Sequence, residues 1–329
     1  MAKKVKISVI GGPDFYMPAD ESIGYPEMWE KLKAYLTKQI DQVLPDRPDL
    51  IVLTEMCDLP REFKRDRMKG FIKGFTDSRG NDNIRFFGRI ASENKCNISF
   101  STVTPGKGDY YMNTTILLNR DGGVAGHYDK YYVTYIENDW NIRYGNQTPL
   151  ISLDFGKAAC AICFDLNFDD LRERYKELKP DLIIFSSMFH GGLMQQVWAN
   201  ECRAYFAGAI AHQRPSSILS PLGETLACST DYMNYATAAI NLDYALVHLK
   251  DQARLNELKK AYGAGITIYD PCHLGYFMIS SEMPGVSAAD MLKESGTITY
   301  DEYIAQSRLL RAEPGKLGES DDRFFIHND

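Results

Sequence analysis

Short apolar runs rich in β-branched residues recur along the chain and predict strands. They are bounded by turn-forming residues, and most are apolar at nearly every position. The runs are KISVI, DLIVLTEM, ISFSTVT, NTTILLN, PLISLDF, KAACAICF, DLIIFSS, GAIAH, SSILSP and ATAAINL. Continuous apolar runs are typical of strands covered on both faces, whereas a half-solvated strand alternates apolar and polar residues.

Segments with apolar residues at three- and four-residue spacing lie between these runs and predict helices. The clearest is MWEKLKAYLTKQIDQVL, and shorter cases are NIRFFGRIASENK, DDLRERYKEL, QQVWANECRAYF and LVHLKDQARLNELKKAYG. Two glycine-containing turns, NRDGGV and SPLGETLA, each predict a hairpin. Strands that alternate with helices indicate an α/β architecture, with helices packed on sheet faces.

The pattern weakens after about Gly263. The remaining residues, up to Asp329, are rich in Gly, Ser and charged side chains, with scattered aromatics. We expect this region to be an extended tail that packs on the body or on a partner subunit. The chain would then consist of a main domain over residues 1–263 and a C-terminal extension over residues 264–329.

The composition is that of a folded, acidic protein. The chain has 329 residues, of which 44% are hydrophobic, and its formal net charge is −7. An acidic chain whose Lys and Arg are scattered is not typical of a nucleic-acid binder. No apolar run approaches the roughly 20 residues that span a bilayer, and the run from Ile7 to Ile10 is too short for a signal peptide. We therefore expect a cytoplasmic protein, with reduced cysteines and no nucleic-acid or membrane partner.

Three reactive groups of different chemistry stand at or near predicted strand ends. Glu55 lies near the end of DLIVLTEM, Lys130 follows a hairpin in GHYDKYYV, and Cys163 ends ACAIC. Ligands collect at the carboxyl ends of strands in sheets of this kind. Taken singly, each residue has an ordinary interpretation as a loop carboxylate, a surface lysine or a core thiol. Glu55 is the exception, because a carboxylate after a buried strand needs a partner such as a lysine.

Cys163 could instead belong to a redox pair, a metal site or a Cys–His hydrolase site. Cys160 and Cys163 have the CxxC spacing of redox and zinc pairs, but residues three apart in a strand point to opposite faces. No second CxxC or HxxxH motif in the sequence completes a metal site. His190, in SSMFHGG, is the best candidate base for a Cys–His hydrolase, although the sequence does not tie it to Cys163.

Together, the three segments resemble the nitrilase superfamily of carbon–nitrogen hydrolases, in particular its amidase and carbamoylase branch. LIVLTEM matches the family's glutamate motif, GHYDKYYV its lysine motif and AICFDLNFDDLRERY its cysteine motif. The resemblance covers roughly residues 4 to 250 and implies a catalytic triad of Glu55, Lys130 and Cys163. It also implies a four-layer αββα sandwich of two mixed sheets, here with an extended C-terminal tail.

The resemblance implies further site residues. Glu137, in YIENDWNIRYG, lies where the family has a second, supporting glutamate. The backbone N–H of Phe164 would join Lys130 in an oxyanion hole, and no metal or other cofactor is implied. Candidates for the pocket wall are loop residues at the same sheet edge, each with core packing as the alternative. They are Tyr110, Tyr111, Tyr135, Trp140, Phe189, His190 and Trp198.

The implied activity is hydrolysis of a small amide or N-carbamoyl compound through a cysteine thioester, with release of ammonia or an amine. Two departures from the family pattern bear on the substrate. Residues 167–170, Asn-Phe-Asp-Asp, replace the family's Arg-Phe-Pro-Glu, which argues against a carboxylate bound as in carbamoylases. Phe164 and Asp165 replace the Trp-Glu of true nitrilases, which favours amides. A nitrilase, an amide acyltransferase and a non-catalytic binding protein on the same fold are the alternatives.

A second copy of the chain is the expected protein partner. The family commonly forms dimers through the helices that follow the cysteine strand. The corresponding segments here are residues 169–181 and the helix around Trp198. The resemblance therefore implies a homodimer or a higher homo-oligomer that acts on a small-molecule substrate.

Overall fold

The described chain divides into two compact units of alternating strands and helices. The computed structural model describes residues 3–12, 15, 23–61 and 67–320. The larger unit is Lys4–Ile240, and the smaller unit consists of Lys3 and the residues from Asn241 onward. The strands in these ranges are β1 (Lys4–Ile10), β2 (Leu50–Val52), β3 (Asn97–Pro105), β4 (Tyr111–Leu118), β5 (Val124–Asp129), β6 (Ile142–Arg143), β7 (Ile151–Leu153), β8 (Gly156–Ile162), β9 (Leu182–Ser187), β10 (Tyr205–Ile210), β11 (Ser217–Leu219), β12 (Thr225–Cys228), β13 (Tyr235–Asn241), β14 (Tyr244–His248), β15 (Ile266–Tyr269) and β16 (Tyr276–Ser281). The helices are α1 (Tyr25–Asp41), α2 (Met68–Arg79), α3 (Asp82–Asn94), α4 (Tyr135–Asp139), α5 (Asp169–Leu178), α6 (Met194–Glu201), α7 (Gln252–Tyr262), α8 (Ala288–Ser295) and α9 (Tyr300–Ala312).

The first sheet of the larger unit is mixed. Its strand order is β13-β1-β2-β3-β4-β5, with β6 beside β4. Strands β1, β2 and β3 run parallel, whereas β3, β4 and β5 form an antiparallel meander. The hairpin predicted from NRDGGV joins β4 to β5, and its turn closes with the Asn119 N–H donating to the Gly123 carbonyl at 2.8 Å.

The second sheet of the same unit is also mixed. Its strand order is β12-β11-β10-β9-β8-β7, with β8, β9 and β10 parallel and the remaining pairs antiparallel. The hairpin predicted from SPLGETLA joins β11 to β12. Because β8 and β9 are parallel neighbours, the residues that follow them emerge at the same edge of the sheet.

Helices cover the outer face of each sheet, and the inner faces pack on each other. On the first sheet, α1 buries Trp29, Leu32 and Leu36 in a core shared with α2, α3 and the strands. On the second, α5 and α6 bury Tyr175 and Trp198. Between the sheets, the Ser186 hydroxyl of β9 donates to the Leu53 carbonyl after β2 at 2.8 Å. This is the four-layer αββα sandwich that the resemblance implied.

Helix α6 is shorter than its apolar repeat predicts. The repeat in QQVWANECRAYF extends to Phe206, but the helix ends at Glu201, and Tyr205 begins β10. Arg203 has a φ of 54°, in the left-handed region that an α-helix cannot continue through. The apolar residues beyond this turn are therefore buried as a central strand of the second sheet.

The C-terminal region is a folded unit, not an extended chain. Strands β14, β16 and β15 form an antiparallel sheet in that order, and α7, α8 and α9 belong to the same unit. Leu255 and Leu258 of α7 share a core with Phe277, Ile279 and Met291. The unit therefore starts at Asn241 and includes α7, earlier than the boundary expected at residue 263. Residues 321–329, the end of the predicted tail, lie outside the described residues.

No helix in the described ranges has both the length and the apolar character needed to cross a membrane. The cytoplasmic location and the homodimer through α5 and α6 stay predictions. The packing of the C-terminal region on the body or on a partner subunit also stays a prediction.

Candidate active site

The three residues of the predicted triad each follow a strand of the sandwich. Glu55 lies three residues beyond β2, Lys130 comes directly after β5, and Cys163 comes directly after β8. The first two leave one sheet and the third leaves the other. The structure brings them together at one end of the space between the sheets, although 108 positions separate Glu55 from Cys163 (163 minus 55).

Lys130 is a buried cation held between two carboxylates. Its Nζ donates to Glu55 Oε1 at 2.9 Å and to Glu137 Oε1 and Oε2 at 2.9 and 2.8 Å. The lysine side chain is 0% exposed, and those of Glu55 and Glu137 are 2% and 6% exposed. Because removing charges from water is costly, such an arrangement persists only when hydrogen bonds satisfy each group.

An asparagine completes this arrangement. Asn113 is fully buried on β4, and its Nδ2 donates to Glu55 Oε1 at 2.8 Å and to Glu137 Oε1 at 2.9 Å. We call Glu55, Asn113, Lys130 and Glu137 the Lys130 cluster. With two carboxylates, one ammonium and a neutral amide, the cluster carries one excess negative charge when all its ionisable groups are charged.

Glu137 is positioned by its own helix. It lies in α4, where Thr134 is the N-cap and Glu137 is the third residue, so the two form a capping box. Glu137 Oε2 accepts from the Thr134 N–H at 2.9 Å, and the Glu137 N–H donates to Thr134 Oγ1 at 3.2 Å. The same carboxylate therefore caps a helix and binds Lys130.

Cys163 lies on a strained turn after β8. Its φ of 49° is in the left-handed region, which is uncommon for a residue with a side chain and is often associated with functional sites. A short 3₁₀ turn over Cys163–Asn167 follows, and Cys163 is partly exposed while Cys160, Cys96 and Cys202 are buried. The strained backbone thus presents the sulfur at the end of the strand.

Asp165 anchors this turn from within. It is fully buried and accepts hydrogen bonds from the Tyr128 hydroxyl at 2.7 Å, the Tyr132 N–H at 2.7 Å and the Ile162 N–H at 2.9 Å. Burial raises the pKa of the Asp165 carboxyl to about 6. Since Tyr128 and Tyr132 flank Lys130, Asp165 ties the cysteine turn to the segment that carries the lysine.

Opposing influences set the protonation of Glu55 and Lys130. Burial alone would raise the pKa of Glu55, but the charge and hydrogen bond of Lys130 hold the pKa below its ordinary value. Hydrogen bonds from Asn113 and the Cys163 thiol add to that lowering. Burial alone would lower the pKa of Lys130, but the charges of Glu55 and Glu137 raise it. The site therefore holds an ionised glutamate and a protonated lysine at neutral pH.

The Cys163 thiol is neutral in the resting site. Burial and the negative charge of Glu55 raise its pKa to about 12, and the charge of Lys130 opposes that increase. The thiol also interacts with Ser187 and Met188 at the end of β9. Met188 in turn donates its N–H to Glu55 Oε2 at 3.1 Å. A base close to the sulfur is therefore needed to release its proton as it reacts.

The alternative interpretations of Cys163 find little support in the structure. Cys160 and Cys163 are both free, and Cys160 is fully buried within β8. His190 is partly buried, and its Nδ1 accepts the Gly192 N–H at 3.1 Å. Burial and the charge of Arg214 lower its pKa, so the ring is neutral at pH 7.

The predicted pocket residues occupy different environments. Trp198 is a core residue, and this corrects its assignment: it is 0% exposed, and its indole N–H donates to the Leu166 carbonyl at 3.1 Å. Tyr111 is also buried, with its hydroxyl donating to Asp77 at 3.1 Å. The alternative of core packing therefore holds for Trp198, and its helical spacing reflects the face of α6 that packs on the second sheet.

The other candidates have partly or largely exposed side chains. Tyr110 and Trp140 are half-buried, and Trp140 packs against the core of the first sheet. Tyr135 is 75% exposed at the start of α4, and Phe189 is 37% exposed just after β9. With His190, these residues stay candidates for the pocket wall.

Two residues of the site were not assigned a role from the sequence. Asn113, in MNTTILL, and Asp165, in CFDLN, are buried polar residues in or next to apolar strands. That position was an available signal, because a buried polar group requires partners. The identity of those partners was not available, since both sets of contacts join distant segments.

One known protein family matches most of this chain. A sequence model of the carbon–nitrogen hydrolase family matches residues 26–245, a range that includes Glu55, Lys130 and Cys163. No curated protein sequence matches the chain.

Several solved structures have the same fold. A carbon–nitrogen hydrolase from Helicobacter pylori G27 superposes with a TM-score of 0.62 at 15% identity, covering 79% of this chain and 93% of that one. The NitFhit protein of C. elegans gives 0.61 at 15% identity, with coverages of 90% and 98%. An amidase double mutant from Nesterenkonia sp. AN1, in complex with acrylamide, gives 0.57 at 13% identity, with coverages of 72% and 91%. At these identities, the likeness extends to the fold.

Proposed function

The chain belongs to the carbon–nitrogen hydrolase family of the nitrilase superfamily, and on that basis we propose that it hydrolyses a small amide or N-carbamoyl compound through a thioester on Cys163. The observation that carries the proposal is the buried Lys130 cluster beside a partly exposed thiol. It supplies a base, a cation and a nucleophile in contact, which is what cleavage of an unreactive amide requires.

In the acylation step, the sulfur of Cys163 attacks the carbonyl carbon of the substrate. A C–S bond forms, the S–H bond breaks, and Glu55 takes the proton as general base. The carbonyl oxygen becomes an oxyanion, which accepts hydrogen bonds from the Phe164 N–H and the Lys130 ammonium. One well-placed donor of this kind lowers a barrier by about 3 kcal/mol.

The leaving group departs when the tetrahedral intermediate collapses. Glu55, now protonated, gives its proton to the nitrogen as the C–N bond breaks, so ammonia or an amine leaves and a thioester remains. A water molecule then attacks the thioester carbon while Glu55 takes its proton. Finally, the C–S bond breaks, the thiol regains a proton, and the carboxylic or carbamic acid is released.

Small amides are the first substrates to test, ahead of nitriles. Phe164 and Asp165 occupy the positions that are Trp and Glu in true nitrilases. Acrylamide, present in the complex of the Nesterenkonia amidase, is a suitable first member of a panel of small primary amides. Nitriles, ureas and N-carbamoyl amino acids complete the panel, with ammonia release as the common readout.

The mechanism is tested by trapping the acyl-enzyme. In Glu55→Gln, acylation is slower because the thiol loses its base, but the base needed to activate water is missing as well, so over a long incubation we expect substrate-derived mass to accumulate on the peptide that contains Cys163. Cys163→Ala is the matched control, because it keeps Glu55 and should carry no adduct. Intact-protein and peptide mass spectrometry measure both variants under the same conditions.

Two outcomes would contradict the proposal. An adduct on Cys57 or another cysteine would reassign the nucleophile, and undiminished turnover in Cys163→Ala would exclude the thioester. Turnover of nitriles without turnover of amides would favour a nitrilase. Transfer to an added amine in preference to water would favour an acyltransferase.

A further inference from the structure

Asn113 occupies an unusual place, because both hydrogens of its amide bond carboxylates that also bind Lys130. Nδ2 lies 2.8 Å from Glu55 Oε1 and 2.9 Å from Glu137 Oε1. Lys130 Nζ lies 2.9 Å from each of the same two oxygens. The two oxygens are therefore bridged by two donors, one neutral and one charged. An amide nitrogen has two hydrogens, so its donor capacity is fully used.

The orientation of this amide is also determined. Ser101 Oγ donates to Asn113 Oδ1 at 3.1 Å and accepts the Met56 N–H at 3.1 Å. A flipped amide would direct its oxygen at two carboxylates, which loses both hydrogen bonds to Glu55 and Glu137 and places acceptors against each other. These hydrogen bonds join the side chain of Glu55, through Asn113 and Ser101, to the backbone N–H of the next residue, Met56.

The backbone of Asn113 supports Lys130 as well. The Lys130 N–H donates to the Asn113 carbonyl at 2.8 Å. One residue of β4 therefore contacts the lysine through its main chain and both glutamates through its side chain. Asn113 itself is 0% exposed, so its effect on substrate would have to pass through these partners.

We propose that Asn113 is a positioning residue for the hydrolytic site: its amide holds the Glu55 and Glu137 carboxylates together on Lys130 and keeps Glu55 oriented as the base. This inference rests on the proposed function, since it assigns Asn113 its role through Glu55. A neutral donor suits this place, because a second cation would neutralise the base and an acceptor would repel it. The groups of ionisable type that face Glu55 are Lys130 after β5, Glu137 of α4 and Cys163 after β8.

The proposal makes the proton affinity of Glu55 depend on Asn113. The hydrogen bond from Asn113 contributes to the lowered pKa of Glu55. Asn113→Leu removes that bond while keeping a similar volume, so the pKa of Glu55 should rise. The rate of a reaction that needs ionised Glu55 falls on the low-pH side of its pH profile, which we call the acid limb. When the pKa of Glu55 rises, this limb moves to higher pH.

The experiment measures alkylation of Cys163 by iodoacetamide as a function of pH, with peptide mass spectrometry as the readout. The exposed thiols of Cys228 and Cys272 serve as internal references in the same molecule. We expect the acid limb for Cys163 to move up by about one pH unit in Asn113→Leu, consistent with the loss of one charge-assisted hydrogen bond. In turnover, kcat should fall by about 10- to 100-fold with KM changed by less than about threefold.

Thr115→Val is the matched control. Thr115 lies on β4 two residues from Asn113, is fully buried, and its hydroxyl has no hydrogen-bond partner among the described residues. Its profile should coincide with that of the wild type. Ser101→Ala should shift the limb in the same direction as Asn113→Leu but by less, because it removes only the contact that orients the amide.

The outcomes separate this inference from the proposed function. If the pH profile of Cys163 alkylation in Glu55→Gln is the same as in the wild type, Glu55 is not the base for Cys163 and both proposals fail. If Glu55→Gln changes the profile while Asn113→Leu coincides with Thr115→Val, the proposed function stands and the role of Asn113 is overturned. If Asn113→Leu does not fold, Ser101→Ala decides: a profile equal to that of Thr115→Val overturns the inference.

Discussion

Two buried ionic clusters lie at the two ends of one short loop, and they differ in the balance of their charges. The Lys130 cluster includes Glu55. The second, which we call the Asp58 cluster, consists of Asp58, Arg79, Asn83 and Thr102. Asp58 Oδ2 accepts from Arg79 at 2.6 Å, Asn83 at 2.7 Å and Thr102 at 2.8 Å.

The Asp58 cluster is balanced in charge. Its two charged side chains are 2% and 0% exposed, and Arg79 also donates to the Val103 carbonyl at 2.9 Å. One positive charge meets one negative charge, and all the donors bind Asp58 Oδ2, whereas the buried Asp58 Oδ1 has no hydrogen-bond partner among the described residues. It joins the loop after β2 to α2, α3 and β3, so it fixes the path of the chain that carries Glu55.

The Lys130 cluster is unbalanced and lies beside a reactive group. Two carboxylates share one ammonium, and the Cys163 thiol is in contact with the excess charge. An excess carboxylate can accept a proton, whereas a carboxylate in a balanced pair is committed to its partner. Burial of charge alone therefore does not identify a catalytic site, and an imbalance of charge beside an accessible nucleophile is the better indicator.

Removing the cation from the Lys130 cluster should give the largest effect. In Lys130→Met, Glu55 and Glu137 lose their shared charge, and one of them should take up a proton because two close carboxylates cannot both ionise. The oxyanion also loses a donor, so we expect turnover to fall by at least about 10⁴-fold, as for removal of a catalytic group. Steady-state ammonia release measures this, with circular dichroism to verify the fold. Turnover within tenfold of the wild type would remove Lys130 from the mechanism.

Removing the cation from the Asp58 cluster should affect stability instead. Arg79→Met leaves Asp58 buried without its charge partner, which costs about 3–5 kcal/mol of unfolding free energy. Urea denaturation at pH 7 measures the loss. The kcat of the folded fraction should stay within about tenfold of the wild-type kcat, since Arg79 does not contact the reacting groups. A kcat as low as that of Lys130→Met would mean that the two clusters do not divide stability from chemistry.

Asp165 is a third buried carboxylate, and its three hydrogen bonds described above all come from neutral groups. Its pKa is raised to about 6 in the folded protein, mainly by burial. The stability tied to its protonated form is therefore fully present below about pH 4 and is lost as the pH rises through 6. Asp165→Asn cannot titrate, so the unfolding free energy of the wild type minus that of the variant should fall by about 3 kcal/mol between pH 4 and pH 7.

Urea denaturation at several pH values measures this difference, and titrations elsewhere in the chain cancel between the two proteins. A constant difference across the range would show that Asp165 has no raised pKa. Asp165→Asn should affect the position of the cysteine turn as well. Its turnover at pH 7 should therefore be lower than that of the wild type.

Much of the fold could be predicted from local patterns. The apolar runs, the helical spacing of Trp29, Leu32 and Leu36, and the two glycine turns each specify an element through interactions within a few residues. The end of α6 and the folding of the C-terminal unit could not be predicted. The first depends on a left-handed residue, Arg203, and the second on a core that joins α7 to later strands.

The local sequence is enough to identify the reactive groups and to predict that Glu55, Lys130 and Cys163 follow strands. Their motifs are local, and a buried carboxylate after a strand requires a partner wherever the strand lies. The tertiary structure was needed to show that Glu55 and Glu137 both bind Lys130 and Asn113, that Asp165 fixes the cysteine turn, and that Trp198 belongs to the core. The physical reason is that hydrogen bonds and burial depend on which distant segments become neighbours. That choice is made by the packing of the two sheets and not by any one stretch of the chain.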